Sequence, residues 1–399
     1  MEARFLQVAS SFTSEPLGRY LRPLLAQAGI AQDLKFAQYA RMTEYLLGAP
    51  AAEDSIGLLV FIRLEDWLRE EVKAPGFSFN ADTAEQFRQK LRARVDEFAG
   101  QVGAFARRAR PVWCLICPSA GWIAEKLKLE ALCRTQSNLL ITRLRSLPGV
   151  SVLSWPPALN QESFHDRGGD RLGQIPYTTE AFEQLAEFLS QQIARTDIRK
   201  PDAEQPNGSS GSTDLASYLK ALQVKVRLTP VQNGDRAHVD RLLRTAAAFS
   251  LTGEKPDLVD NEVDALLEPG RCLLVSVSDR LSDYGPSGLV AFRRQGEFLA
   301  VDAMALSCPV LGKQVDFAVA SALAEIASHN GAKRVAFRYK PSERNETMLA
   351  FLRSLAQSDS DHGYVVAVEQ VGVRIQAAAT APGAWTLELP TYLPPRDGR

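Results

Sequence analysis

The residues best suited to chemistry lie in the C-terminal half of the chain, around Leu311-Gly312-Lys313-Gln314. This turn follows an apolar, strand-like run at residues 301–306. It precedes a stretch in which Val315, Ala318, Val319, Ala322, Leu323, Ile326 and Ala327 recur at the spacing of one helical face. A strand that feeds a glycine turn into a helix start brings unpaired N–H groups and the positive end of a helix dipole to one point. That is a ready site for a pyrophosphate. Nearby in sequence, Asp279, Arg280, Asp283 and Tyr284 gather at a strand end beside Gly285, where a buried Asp–Arg pair holding the turn would account for them. In the N-terminal half, Ser11 follows a first strand, and Cys114-Leu-Ile-Cys117 has the C-x-x-C spacing of a metal or redox pair. The cysteines lie inside an apolar run with no second pair, and alternation puts their thiols on opposite faces, so they read as buried core. With the four histidines scattered, no metal site is expected.

The elements that position these residues fall into two groups. Strand-like runs at 5–9, 33–36, 56–62, 111–117 and 150–154 alternate with helical patterns, of which residues 82–107 are the longest. The continuous apolar run Ile56-Gly57-Leu58-Leu59-Val60-Phe61-Ile62 is typical of a strand buried on both faces of a parallel sheet. This half reads as a doubly wound α/β domain. After a helix carrying Phe182, Leu185, Phe188, Leu189 and Ile193, the Pro-, Gly-, Ser- and charge-rich stretch 199–213 reads as a flexible linker. Beyond it, strands at 224–228 and 271–278, a hairpin at 288–292 and 298–303, and a strand at 334–337 surround the turn and its helix. A second helix starts near Ser342 and carries Leu349, Leu352 and Leu355 inward. The tail carries two closing strands, at 364–368 and 385–389, and a frayed end marked by Pro390, Pro394 and Pro395. The expected division is therefore 1–198, a linker at 199–213, and 214–399.

With 399 residues, 45% hydrophobic, 23% charged and a formal net charge of −1, the composition is that of an ordinary globular protein. It gives no electrostatic reason to expect nucleic acid or an anionic membrane. No apolar run approaches a membrane span and no signal-peptide pattern opens the chain, so a cytoplasmic location is expected.

The strand, turn and helix at 301–327 resemble the core of GNAT acyltransferases, which hold the pyrophosphate of acyl-CoA in an Arg/Gln-x-x-Gly-x-Gly/Ala turn. Asn345 resembles the fourth-helix Asn of that fold. This chain departs at Pro309, which lacks an N–H, and at Gln314, whose bulk would sit where backbone approaches phosphate. Over both ends the chain resembles FkbH-like proteins. The resemblance rests on residues 8–17 (Val8-Ala9-Ser10-Ser11-Phe12-Thr13-Ser14-Glu15-Pro16-Leu17), Phe36-Ala37-Gln38-Tyr39, Arg63-Leu64-Glu65-Asp66-Trp67 and Gly173-Gln174-Ile175-Pro176-Tyr177-Thr178. It continues in Ser278-Asp279-Arg280-Leu281-Ser282-Asp283-Tyr284-Gly285 and Leu306-Ser307-Cys308-Pro309-Val310-Leu311-Gly312.

That resemblance implies an SGNH-hydrolase-like (flavodoxin-like) three-layer domain at the N-terminus and an α+β, GNAT-like domain with a mixed sheet at the C-terminus. The family's central HAD phosphatase-like domain is missing, and 199–213 stand in its place. It implies work in polyketide or nonribosomal-peptide secondary metabolism on an acyl group carried by CoA or by carrier-protein phosphopantetheine. An acyl carrier protein or a pathway enzyme is the implied partner. In an acyltransferase, Leu311, Gly312, Lys313 and Gln314 would hold phosphate, Asn345 would line the pantetheine arm, and Tyr284 or Asp283 would handle protons. The Ser278–Gly285 block is a family landmark, so a pocket role stands beside the Asp–Arg reading. Ser11 is the nominal SGNH nucleophile, but Glu65 replaces the oxyanion Asn and Gly173 the His. His165 could substitute only if its loop folds back. The family's Arg-Thr-Asn-Gln-Phe-Asn block reads here as Arg244-Thr245-Ala246-Ala247-Ala248-Phe249-Ser250, without the Asn-Gln pair. Two readings therefore stand: an acyltransferase, or a non-catalytic protein that binds a carrier protein or pathway enzyme. A phosphatase and an SGNH hydrolase are not expected.

Overall fold

The structure is a computed structural model. It describes residues 4–37, 42–48, 54–69, 72, 78–108, 111–118, 130–196, 215–246, 249–253, 270, 272–280, 283–307, 310–342, 345–359 and 361–390. The expected linker at 199–213 lies outside these residues, as do Gln38, Tyr39, Cys308, Pro309 and the chain after Pro390. The chain is α/β and divides into two compact units, Met1–Asp214 and Leu215–Arg399.

The first unit is built on a parallel sheet of β1 (Phe5–Ser10), β2 (Asp33–Phe36), β3 (Ser55–Ile62), β4 (Val112–Ile116) and β5 (Val150–Leu153), in the order β2-β1-β3-β4-β5. Every residue of β3 is buried, because successive side chains feed opposite cores. Leu58, Val60 and Ile62 meet α2 (Met42–Gly48), α3 (Ala81–Ala106) and α4 (Glu130–Arg145). Leu59 and Phe61 meet α1 (Gly18–Gln27) and α6 (Thr179–Ala194). Cys114 belongs to the first of these cores and Cys117 to the second, with burial pushing both thiols up to about 12. A short helix the sequence reading did not anticipate, α5 (Arg167–Gly173), precedes α6. Its N-cap is Asp166, whose carboxylate accepts from the Gly169 N–H at 2.7 Å.

The second unit has a mixed sheet of β6 (Val224–Pro230), β7 (Cys272–Ser278), β8 (Asp283–Gln295), β9 (Phe298–Leu306), β10 (Arg334–Phe337), β11 (Gln357–Asp359), β12 (Gly363–Ala367) and β13 (Trp385–Glu388). Its order is β11-β12-β10-β9-β8-β7-β6-β13. The helices are α7 (Leu215–Leu222), α8 (Arg236–Thr245), α9 (Val315–His329), α10 (Glu346–Leu355) and α11 (Val368–Ala378). The two closing strands are not neighbours. The unanticipated α11 separates them, so β12 joins β10 while β13 lies parallel to β6 at the opposite edge. The last expected helix starts at Glu346 rather than near Ser342, and it turns Met348 and Phe351 inward with Leu352 and Leu355, leaving Leu349 half-buried. Asn330 closes α9 with a negative φ, and Gly331 takes the left-handed conformation.

One feature of this sheet sets up everything around the turn. Strands β9 and β10 pair in parallel from Phe298 and Arg334 as far as Val301 and Phe337. The Arg338 N–H still reaches the Val301 carbonyl at 3.2 Å. Against β8 the register shifts at the same point, since Phe292 faces Val301 but Ala291 faces Ala303, so Asp302 is a bulged residue. Past the bulge β9 runs on to Leu306 while β10 has ended.

Gly363 holds the other side of β10 in place. Its φ is 85°, and a Cβ there would lie 2.4 Å from the Phe337 carbonyl oxygen. Gly363→Ala is expected to destabilise the protein by about 2 kcal/mol or more, the left-handed strain plus the clash. Urea unfolding would show this as a lowered midpoint.

Candidate functional site

The end of the second unit's sheet brings together the C-terminus of β7, the start of β8 and the end of β9, because these three strands run antiparallel in succession. The turn after β9 therefore sits beside Asp279 and Tyr284. Gly312 and Gln314 both have left-handed φ, 79° and 62°, while Lys313 between them does not. The turn leads directly into α9, whose first amides have no acceptor within the helix, while the Lys313 N–H donates to the Val310 carbonyl at 3.4 Å. Gln314 holds a conformation that costs a side-chain-bearing residue about 1–2 kcal/mol. Its side chain is buried, and its Oε1 accepts from the Ala381 N–H at 3.2 Å. The expectation that Gln314 would block close approach to the turn is thus corrected, because the amide is tucked into the core. Leu311 is also buried, and Asp316 satisfies the Phe317 N–H at 3.0 Å.

Where a buried Asp–Arg pair holding the turn is expected, the pair that forms is Asp279 with Lys313, at 2.8 Å. The Asp279 carboxylate is buried and also accepts from the Tyr284 hydroxyl at 3.1 Å. The Lys313 ammonium also lies 5.1 Å from the centre of the Tyr284 ring. Arg280 is exposed, and its Nε donates to the Ala221 carbonyl. The topology brings Lys313 from 34 residues away onto the buried carboxylate. Asp283 is exposed and accepts from the Gly285 N–H at 3.0 Å, capping the turn rather than facing Tyr284's hydroxyl.

Asn345 is fully buried. Its Nδ2 donates to the carbonyls of Ser250 and Lys340, both at 3.0 Å, and its Oδ1 accepts from the Tyr339 hydroxyl at 2.9 Å and the Ser342 N–H at 2.8 Å. The amide is therefore a clamp between α10, the chain after β10 and the segment around Ser250. That segment lies in the gap between β9 and β10. The Leu306 N–H donates to Phe249 and the Leu251 N–H to Met304, each at 3.0 Å, while the Lys340 N–H donates to Leu251 at 2.7 Å. Sequence reading missed this segment, because three residues are too few to carry a periodic signal.

In the first unit, β1 lies between β2 and β3, so the C-terminal ends of β1 and β3 flank the switch point where open α/β sheets place ligands. Here the crevice is filled. The Ser11 hydroxyl donates to Asp66 at 2.9 Å and accepts from the Arg63 N–H at 2.9 Å. The Arg63 and Arg69 guanidiniums each bind both Asp66 and Asp170 at 2.6–2.8 Å, and all four side chains are at most 3% exposed. Burial alone would raise the Asp66 carboxyl, but the charges and hydrogen bonds of Arg63 and Arg69 outweigh it and hold the group below its ordinary value. Glu65, also buried, lies 3.9 Å from Arg63. His165 bridges to Tyr177, and its pKa is lowered by burial and by the Arg63 charge. Ser11 thus meets a carboxylate within an ion network, not an imidazole.

No protein-family model and no curated protein matches this chain. Among solved structures, a provisionally assigned acetyltransferase matches at 18% identity and a TM-score of 0.26, over 39% of this chain and 93% of its own. A provisionally assigned platelet activating factor from Streptococcus pneumonia matches at 11% identity and 0.28, over 48% and 85%. N-acetylglutamate synthase from Neisseria gonorrhoeae, complexed with coenzyme A and L-arginine, matches at 11% identity and 0.25, over 90% of each chain. Scores of this size carry no argument about the present site. Among the described residues, no group of His, Cys, Asp and Glu is arranged to hold a metal ion, and no helix is long and apolar enough to cross a membrane.

The ion network makes two measurable demands. Asp170→Ala leaves two buried guanidiniums with Asp66 as their one shared carboxylate and should cost about 3–5 kcal/mol in urea unfolding. Because the Asp66 carboxyl is depressed, its contribution is fully present above its ordinary value of 3.8 and is lost as pH falls through the folded value. Stability should therefore fall in acid, and Asp66→Asn should flatten that slope.

Proposed function

We propose that the second unit binds the phosphopantetheine arm of an acyl-CoA or an acyl carrier protein and serves acyl transfer in polyketide or nonribosomal-peptide type metabolism. The observation that carries this reading is the turn from β9 into α9. Its left-handed Gly312 and Gln314 lead the backbone into a helix N-terminus, a position suited to phosphate, and the Gln314 side chain is buried against the Ala381 N–H. Asp279 fixes the Lys313 ammonium beside that turn. Tyr284 then belongs to the phosphate end of the site, as a support for Asp279 and Lys313. A phosphopantetheine arm separates phosphate from thioester by about four extended residues, on the order of 13 Å. A proton role at the thioester would accordingly fall to groups further along β9, away from Tyr284 and Asp283.

A second reading has its own observation. Asn345 and the segment at Phe249–Leu251 close the gap between β9 and β10, which supports a protein that binds a carrier or pathway enzyme without catalysis over one that holds an acyl arm in that gap.

Isothermal titration with ADP, acetyl-CoA and a phosphopantetheinylated carrier protein tests the proposal. The wild type should bind ADP and acetyl-CoA. Gly312→Trp and Lys313→Ala should each weaken both by tenfold or more, about 1.4 kcal/mol. If the wild type binds none of the three ligands, the phosphopantetheine reading is wrong.

A further inference from the structure

The gap between β9 and β10 is a sheet edge that the chain itself covers. Beyond the bulge at Asp302, β9 presents the Met304 carbonyl and the Leu306 N–H toward the space that β10 has vacated, and Phe249 and Leu251 take both. Ser250 faces Ala305 across an antiparallel bridge, with the two hydrogen bonds on either side of the pair. Phe249 packs against Phe351, which in turn meets Phe317 of α9. The Ser250 carbonyl is held by Asn345, and a turn at Gly253 (φ 72°) returns the Ser250 hydroxyl onto the Gly253 carbonyl at 3.2 Å.

An exposed strand edge is a template for any extended group with amides at peptide-like spacing. The covered stretch ends at Leu306, where the chain enters the turn that carries Gly312. An arm with two amides anchored by its phosphate at that turn and lying along β9 would need the Met304 and Leu306 groups that the segment now occupies. We propose that Phe249–Gly253 is a displaceable internal strand that closes the acyl-arm slot, so that phosphate binding and arm binding are separable and the arm enters only when the segment leaves. This inference rests on the phosphopantetheine reading of the turn, but its motion can be measured without any ligand.

The Ser250/Ala305 pair is of the narrow, non-hydrogen-bonded kind, with Cα atoms about 4.5 Å apart, a separation a disulfide can span. In the full chain, Ser250→Cys/Ala305→Cys should lock the segment when oxidised and release it when reduced. Titration with acetyl-CoA is expected to show at least tenfold weaker binding to the oxidised form, recovered on reduction, with ADP binding equal in both. Amide hydrogen exchange of the ligand-free wild type should show Leu251 and Leu306 opening well before Val301, and Asn345→Ala should speed that opening further. Equal acetyl-CoA affinity in the oxidised and reduced forms overturns the gate. So does exchange of Leu251 and Leu306 only through global unfolding, whatever ligand binds. Loss of ADP binding in every form, with Leu251 opening as expected, instead condemns the phosphate reading and leaves a mobile strand that guards no arm.

Discussion

The parting of β9 from β10 is the constraint on which the second unit turns. Parallel pairing stops at Val301 and Phe337, and the bulge at Asp302 adds one residue to β9 just beyond that point. A bulge bends its strand and increases local twist, and here β9 stays with β8 beyond it while the pairing with β10 ends. That leaves backbone donors and acceptors of β9 facing a gap inside the sheet, and buried backbone groups must find partners. The chain meets the demand with Phe249–Leu251, and Asn345 fastens the insert to the start of α10. The same end of β9 delivers the chain into the turn whose Gly312 and Gln314 open α9.

Both units face a comparable problem at the C-terminal ends of their central strands and meet it with different materials. In the first unit the switch point between β1 and β3 is filled by side chains, with two arginines and two aspartates sharing hydrogen bonds around Ser11. Such a network gains little over apolar packing when complete but is costly to break, which makes it a rigid plug. In the second unit the filling is backbone, held by hydrogen bonds and by the buried side chains of Phe249 and Leu251. In the first arrangement the Ser11 hydroxyl donates to a carboxylate that two guanidiniums hold, where a hydrolase would place an imidazole base. The second covers the strand edge that adjoins the turn at the start of α9.

Much of this was legible in sequence because it depends on local pattern. The uninterrupted apolar run of β3 reads as a doubly buried strand, and the periodic small apolar residues after Gln314 read as α9. The opposed burial of Cys114 and Cys117 follows from alternation alone. What escaped depends on distant partners. The cluster at 279–284 reads as holding an Asp–Arg pair, and only the antiparallel succession of β7, β8 and β9 brings Lys313 to Asp279. Gln314 looked obstructive because sequence shows bulk but not direction. Its side chain turns to Ala381, 67 residues on. Asn345 matched a familiar position, yet its amide is consumed by the segment at Ser250, whose three-residue pairing is too short to carry a periodic signal. The helix α11 was missed between two runs that read as consecutive strands, and one of those strands crosses to the far edge of the sheet.

The central claim is that the β9–α9 turn is an anion-binding site for a phosphopantetheine-bearing ligand. The most direct test is an amide NMR titration of the full chain, labelled with nitrogen-15 at glycine and lysine, with CoA. The account predicts that the Gly312 and Lys313 resonances move first and saturably, while glycines of the first unit stay in place. Stationary Gly312 and Lys313 resonances, at CoA concentrations that shift other glycines, would contradict it.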